Sequence, residues 1–278
     1  MSNSLEKIID SQAKISKSAL PPQKLQQSQY IVAHLDFLGA SEKMKSVEER
    51  DSFLQQIYKI YHGIKKAMEA APSYGRPILD IRIFSDNILF AHKVQFSKTL
   101  FEEWQYVSRW TSMLQAFALQ HELLIRGAIT IGDFYIDDVF VYGEALAKAY
   151  EMESKRAMYP RIIVDHNFFK NTLFTGEIRT VKENTFFKDA DGEWCVNFIG
   201  SIITDPENSL RFLTEIRTAI SKMYAENKNN LRVKQKYYWL INKFNELVKK
   251  HGYEQCAIPS TIYDEPDTTT VLLKRGKV

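Results

Sequence analysis

The stretch YIVAHLDFLG, residues 30–39, decides how this chain folds and where its chemistry lies. Its apolar run predicts a buried β-strand from Tyr30 to Leu35. Asp36 follows directly at the strand end, where an ionised carboxylate is costly to bury unless it is hydrogen-bonded or binds a metal. The alternative role for such an aspartate is a helix N-cap. Gly39 favours a functional role, because a small residue lets the backbone approach a phosphorylated ligand closely.

A second aspartate occupies a turn in ILDIRIFSDNILFA, residues 78–91. This stretch predicts a strand, a tight turn over Ser85, Asp86 and Asn87, and a return strand. Aspartate is common in turns, so Asp86 alone indicates only local structure. Asp36 and Asp86 are 50 residues apart, with a predicted helix between them. Two strand-end carboxylates in this arrangement suit a two-metal phosphoryl-transfer site, whose ions lie about 3.5–4 Å apart.

The remaining elements define the fold class and the division of the chain. Apolar residues three or four apart predict helices over 47–71, 98–121 and 143–159, and residues 205–250 look helical throughout. Strands are predicted over 123–132 and 161–164, and a hairpin over 185–199. This order predicts an α+β protein, an α/β sandwich with a mostly antiparallel central sheet flanked by helices. We divide it into an N-terminal tail (1–28), a main domain with both aspartates (29–200) and a helical C-terminal extension packed on that domain (201–278).

The composition excludes several classes of protein. The chain has 278 residues, of which 45% are hydrophobic, so it can bury a sizeable core. Its net charge of +3 gives no reason to expect a nucleic-acid or membrane partner. Cys195 and Cys256 lie far apart, which favours a reducing compartment over a disulfide framework. No stretch approaches the ~20 apolar residues of a membrane helix. Because the first residues also lack the apolar core of a signal peptide, we expect a cytoplasmic protein.

Four stretches together resemble a known family, the class III nucleotidyl cyclases. They are LDFLG (35–39), IRIFSDNILFA (81–91), IRGAITIGDFYID (125–137) and VYGEALAKAYEMES (141–154), and they follow the family's order over about 30–165. The resemblance implies a class III cyclase-like fold and an active site with two Mg²⁺ or Mn²⁺ ions. It implies that Asp36 and Asp86 are catalytic, and that Asp36, Phe37 and Asp86 bind the metals.

The resemblance also implies a set of nucleotide-binding residues, with one departure from the family. Arg82 and Asp138 lie at the positions that read the base. Where family members usually carry an Asn and an Arg to support ribose and triphosphate, this chain has Ala147 and Glu151. Either other cations take over, with Arg161, Arg126 and Lys188 as further candidates, or the chain is an inactive relative. The implied nucleotide-binding set is Gly39, Arg82, Asp138, Lys148, Lys155 and Arg156.

Within the family, the chain is most similar to the pyrimidine cyclases of bacterial antiphage defence, the Pycsar systems. The shared pieces are the DFLGA-like first motif, the SDN turn, the RGA strand, the PRI tripeptide and a helical C-terminal extension. The similarity implies that the chain makes cyclic UMP or cyclic CMP as an alarm signal for a separate effector protein. It also implies a homodimer with active sites at the interface. Arg82 donates and Asp138 accepts, which suits uracil, cytosine and adenine alike, so UTP is favoured by the resemblance alone.

Other functions stay open at this point. Ala147 and Glu151 favour a cyclase-like module that binds a nucleotide or a partner without turnover. A cyclase that uses ATP or GTP fits the same metal aspartates. A two-metal nucleotidyltransferase that joins two nucleotides has less support, since SDN stands where that family carries a GGDEF-like hairpin.

Overall fold

A computed structural model describes residues 25–71, 79–95, 99–171 and 184–263 of the chain. In these residues, eight strands form one sheet with helices packed against both of its faces. The predicted α+β architecture is confirmed. Predictions that concern residues 1–24, 78, 98 and 264–278 lie outside the described part of the chain.

The sheet is antiparallel except at one pair of strands. Seven strands lie in the order β2-β3-β1-β4-β6-β8-β7, and β5 pairs with β4. The exception is β4, which runs parallel to β6. The strands are β1 (Ser28–Phe37), β2 (Asp80–Phe84), β3 (Asn87–Lys93), β4 (Ile125–Ile136), β5 (Val141–Tyr142), β6 (Ile162–Val164), β7 (Phe186–Lys188) and β8 (Trp194–Val196).

Strand β1 lies inside the sheet, between β3 and β4. Its side chains alternate between the two faces, as the pleat requires. Leu35 and Phe37 belong to the larger core beneath the long helices. Val32 faces the other way and packs against Ala145. Asp36 shares this second face with Val32, so the central strand delivers a carboxylate to the face opposite the main core.

Capping residues explain where several of the helices begin. The helices are α1 (Ala40–Lys43), α2 (Val47–Ala70), α3 (Leu100–Gln120), α4 (Glu144–Arg156), α5 (His166–Asn171), α6 (Pro206–Asn227) and α7 (Leu231–Lys250). The Ser46 side chain caps α2, and Thr99 with Glu102 forms a capping box on α3. Asp205 caps α6, with Pro206 in the first turn. Within the described ranges, no helix combines the length and apolar character needed to span a membrane.

Two elements differ from the sequence prediction. The helical stretch 205–250 is two helices, because it breaks over residues 228–230, within the sequence Asn227-Lys228-Asn229-Asn230. Asparagine competes for backbone hydrogen bonds and so favours helix ends over helix interiors. Strand β4 also continues four residues beyond Gly132, where it pairs with β5.

Helices α6 and α7 share one apolar core with the sheet. Leu213 and Ile220 of α6 and Leu240 of α7 are fully buried in a cluster that also contains Ala128 of β4 and Cys195 of β8. A cluster that mixes residues from 116 to 263 has no boundary at residue 200. The C-terminal helices therefore cover the sheet beside α4.

Gly143, which precedes α4, provides a test of the packing between α4 and β4. Its φ is +150°, and an added Cβ would lie 2.4 Å from the Asp133 carbonyl oxygen. We expect Gly143→Ala to lower the free energy of unfolding by about 3 kcal/mol or more, from strain and steric clash together. Gly192→Ala is the matched control, with φ +91° but open space at the Cβ position. It should cost about 1–2 kcal/mol. Urea denaturation measures both, and equal losses would contradict the packing described.

Candidate active site

The register of the sheet brings the two aspartates together. Asp36 pairs with Asn87 of β3, the residue that follows Asp86. The backbone N–H of Phe37 donates to the Asp86 carbonyl oxygen at 3.0 Å. Ser85 takes a positive φ of 58°, which closes the turn tightly. Asp36 and Asp86 thus lie side by side at one end of the sheet.

Helix capping does not explain Asp36. Asp36 belongs to β1, and the N-cap of α1 is Gly39, at a φ of 83°. The N-cap alternative for Asp36 is therefore wrong. Gly39 lies in a left-handed conformation that strains other residues, so a turn requirement accounts for it at least as well as close approach to a ligand.

The environment of Asp36 disfavours its ionised form. Burial raises its pKa, and Arg126 lowers the pKa through a hydrogen bond and through its charge. The neighbouring Asp86 carboxylate raises the pKa again, and the outcome lies above the ordinary value of 3.8. Two ionised carboxylates at this separation would therefore be stabilised by additional positive charge.

Arg126 of β4 is shared between two carboxylates. Its Nε lies 3.0 Å from Oδ2 of Asp36 and 2.6 Å from Oε1 of Glu153 on α4. Burial raises the pKa of Glu153, the charge of Arg126 lowers it, and the charge of Asp36 raises it. The Nε group of Arg126 is therefore engaged by two acidic side chains.

The donor set fits a divalent ion that takes its remaining ligands from water or from a bound phosphate. Among the described residues, no three His, Cys, Asp or Glu side chains gather into a metal site. Mg²⁺ in proteins is often held by one or two carboxylates, with water and substrate phosphates as the other ligands. Asp36 and Asp86, whose mutual repulsion a cation would relieve, match that arrangement.

A cavity of about 640 Å³ opens next to Asn87, the residue after Asp86, although the two aspartates are not among its lining residues. Asn87 lines it from the sheet, and Ala147 and Tyr150 line it from α4. His34, two residues before Asp36, makes an edge-to-face contact with Tyr150, with ring centroids 5.4 Å apart. Ala147, which stands where an Asn was expected, therefore borders the site but brings no polar group to it.

The two base-reading candidates lie close together. Arg82 Nη2 donates to the Asp137 carbonyl oxygen at 3.1 Å. Asp138 follows in an exposed turn. That turn is held by the Asp137 carboxylate, which accepts hydrogen bonds from the Phe140 and Val139 N–H groups. The Arg82 guanidinium therefore lies next to the residue that precedes Asp138.

Of the other predicted cations, four are paired elsewhere in this chain and Lys188 is exposed on a strand at the sheet edge. Lys148 binds Asp165, and Lys155 lies 2.8 Å from Glu151 on the surface. Arg156 binds Glu193 through two hydrogen bonds of 2.6 and 2.9 Å. Arg161 is buried between Asp189 and Asp191, and Lys188 is exposed on the edge strand β7. None of these cations has Asp36 or Asp86 as its ion-pair partner within the described chain.

Sequence reasoning missed two charged residues of the site. Glu153 lies on the stripe Ala145, Ala149, Glu153 of α4, and this acidic residue at an apolar spacing is a readable signal. Lys236 of α7 interacts electrostatically with both Asp36 and Arg126. It stands among aromatic residues in KQKYYWLINKF, and nothing in that pattern separates it from a solvated lysine.

Comparison with known proteins adds a weak likeness. No protein-family model and no curated protein sequence matches the chain. Among solved structures, the adenylyl cyclase CyaB from P. aeruginosa is 12% identical, with a TM-score of 0.41; the match covers 67% of this chain and 99% of that one. The catalytic core of a rhodopsin-guanylyl cyclase with converted specificity, in complex with ATPalphaS, is 12% identical, with a TM-score of 0.36 and coverage of 62% and 96%. Both scores are below 0.5, so function must be inferred from the residues themselves.

The raised pKa of Asp36 predicts a stabilising substitution. A carboxyl whose pKa is raised on folding makes the protein less stable as the pH rises from 3.8 through the folded pKa. Asp36→Asn should therefore raise the thermal midpoint at pH 7, since Arg126 keeps Glu153 as a partner. The gain should shrink as the medium is acidified.

Asp165 is the matched control with the opposite sign. Burial alone would raise its pKa, but hydrogen bonds from Lys148, the Asn167 N–H and Thr130 lower it. Its stabilising effect is present above pH 3.8 and is lost as the pH falls through the folded pKa. Asp165→Asn should lower the free energy of unfolding by about 1.5–3 kcal/mol at pH 7. Scanning calorimetry at several pH values checks both, and a lower midpoint for Asp36→Asn at pH 7 would contradict the charge analysis.

Proposed function

We propose that this chain is a nucleotide cyclase of the class III type. It converts a pyrimidine nucleoside triphosphate, UTP in preference to CTP, into the 3′,5′-cyclic monophosphate and pyrophosphate. The observation that carries the proposal is the adjacency of Asp36 and Asp86 at one end of the sheet, linked by the 3.0 Å hydrogen bond from Phe37 to Asp86. The four family-like stretches supply the reaction type.

The reaction needs positioning and charge compensation more than covalent help from the protein. The ribose 3′ oxygen bonds to the α-phosphorus, the bond from that phosphorus to the bridging oxygen breaks, and pyrophosphate leaves with the electron pair. The 3′-hydroxyl proton passes to solvent. Because both reacting groups belong to one molecule, holding the nucleotide in the attacking conformation removes much of the barrier.

The acidic end of the sheet would hold the metal ions. Asp36 and Asp86, with the Phe37 carbonyl oxygen, would bind Mg²⁺ or Mn²⁺. When bound, such ions lower the pKa of the 3′-hydroxyl and neutralise the triphosphate. Arg126 keeps Asp36 and Glu153 compensated while no nucleotide is present, because it contacts both carboxylates.

Base selection is assigned to Arg82 and Asp138. Arg82 is already held beside residue 137 by a backbone hydrogen bond. Its guanidinium would donate to the acceptor of the pyrimidine edge, and Asp138 would accept from the donor. UTP is proposed over CTP on family resemblance, together with the role of the product as an antiphage alarm signal for a separate effector.

A homodimer would complete the site. The rim of the cavity exposes large apolar side chains, among them Phe84, Tyr142 and Tyr150, with exposed fractions of 46%, 63% and 58%. A surface of this kind is typical of a contact with another subunit. In such a dimer Lys148, Lys155 and Arg156 of α4 would serve the partner's aspartates.

A second candidate function is nucleotide binding without turnover. It is favoured by Ala147 and Glu151, since Ala147 brings no hydrogen-bonding group to the cavity and Glu151 is committed to Lys155 on the surface. Both candidates require Asp36 and Asp86 to bind a metal–nucleotide complex. They differ only in whether a cyclic product forms.

The proposed function predicts that the aspartates are indispensable for turnover. Asp36→Asn and Asp86→Asn should each lower kcat by about 10³-fold or more, because the developing charge loses its compensation. Asp51→Asn, at an exposed position of α2, is the control and should leave kcat unchanged. The assay incubates each variant with UTP, CTP, ATP or GTP and Mn²⁺, and identifies products by mass spectrometry.

Each outcome of this assay separates the candidates. A cyclic mononucleotide that only the two site variants fail to make supports the cyclase. Tight binding without any product supports the binding module, and a linear dinucleotide product supports a nucleotidyltransferase. Normal turnover in Asp36→Asn or Asp86→Asn would remove the proposed site.

Arg82 gives a separate prediction about specificity. Arg82→Met should lower kcat/KM for the preferred nucleotide by about 10- to 100-fold, because the base loses its hydrogen-bond donor. The kcat/KM values for the four nucleotides should therefore become more similar. Lys93→Met, at the exposed end of β3, is the control. Competition between the four nucleotides measures the preference. An unchanged preference order with unchanged ratios in Arg82→Met would assign base reading to other residues.

A further inference from the structure

Helix α7 is fixed over the face of the sheet that carries Asp36. Its Trp239 donates from Nε1 to Asp189 Oδ2 at 2.8 Å and stacks on Tyr159, with ring centroids 5.6 Å apart. Lys243, one turn further on, lies 3.6 Å from the same Asp189 carboxylate. These contacts set both the height and the rotation of the helix on the sheet.

The first turns of α7 and the residue Leu38, which follows the strand end with Asp36, belong to one apolar cluster. Val233 and Leu240 pack in the same apolar cluster as Leu38, which is two residues beyond Asp36. Lys236 lies between Val233 and Leu240 on one stripe of the helix, at spacings of three and four residues. The stem of Lys236 is half-buried there, and its ammonium group interacts electrostatically with Asp36 and Arg126.

Lys236 differs from the other cations near the site, because it has no committed partner. Arg126 is held by two carboxylates, and Lys148 and Arg156 by one each. Within the described part of the chain, Lys236 makes neither a hydrogen bond nor an ion pair. An anionic ligand at this position would give the ammonium group of this half-buried lysine an ion-pair partner.

We propose that Lys236 binds the phosphate chain of the nucleotide held by Asp36 and Asp86, so that the C-terminal helix of the same chain supplies a cation to the site. The inference rests on the proposed function for the identity of the ligand. It accounts for the departure at Glu151, since a positive charge that α4 lacks there is delivered from α7. A lysine suits this role, because its compact charge on a flexible stem can follow phosphate oxygens.

The test compares full-length Lys236→Met and Lys236→Arg with Lys249→Met, an exposed lysine near the end of the same helix. Calorimetric titration measures binding of inorganic tripolyphosphate in the presence of Mn²⁺, and nucleotide turnover is measured separately. Lys236→Met should weaken tripolyphosphate binding about 10- to 100-fold. Lys236→Arg should bind within about threefold of wild type, because it keeps the charge. Lys249→Met should match wild type, and all unfolding midpoints should agree.

The two readouts keep the inference separate from the proposed function. Tripolyphosphate binding that is equal in wild type and Lys236→Met would overturn the inference, and so would a wild-type chain that does not bind it. Lys236→Arg as weak as Lys236→Met would assign the effect to packing and overturn it too. If Lys236→Met alone weakens binding while no nucleotide is turned over, the inference stands and the proposed cyclase activity is wrong.

Discussion

The ion pair between Arg126 and Asp36 is the interaction around which the site is organised. It exists because β1 pairs with β4 in a register that sets Asp36 opposite Arg126. On its other side, β1 pairs with β3 so that the turn with Asp86 closes against Phe37. A shift of one residue in either pairing would turn Asp36 to the main core, where a carboxylate has no partner. The buried alternation of β1 therefore fixes the chemistry as well as the fold.

Charged residues from three parts of the structure, the sheet, α4 and α7, meet at this end of the sheet. The sheet supplies Asp36, Asp86 and Arg126, α4 supplies Glu153, and α7 supplies Lys236. Arg126 contacts Asp36 and Glu153 through its Nε, and the adjacent Asp86 carboxylate raises the pKa of Asp36. Such a pair of carboxylates is costly for the fold by itself. A role in binding cations explains why the sheet tolerates both.

Features encoded by neighbouring residues could be predicted from the sequence, whereas features that depend on tertiary contacts could not. The apolar run before Asp36 and the turn at Asp86 are local, and both predicted the observed elements. The break at 228–230 also has a local signal, three asparagines between 227 and 230. The apolar spacing on either side is helical, so the pattern predicted one continuous helix there. Lys236 could not be identified in the same way, since its role depends on the tertiary contacts of Trp239 with Asp189 and Tyr159 that hold α7 against the sheet. The site's position was therefore predictable, and its full set of charges was not.

Helices α6 and α7 are part of the body that carries the site. Their cluster takes Ala116 and Leu119 from α3 and Ala128 from β4, all close to fully buried. Without these helices, the apolar face of the sheet beside α4 would be exposed to water. Each Å² of exposed apolar surface would destabilise the fold by about 25 cal/mol. Leu38, two residues beyond Asp36, belongs to the same cluster. A helical extension that completes this core and also carries Lys236 therefore contributes both to the fold and to the charge around the aspartates.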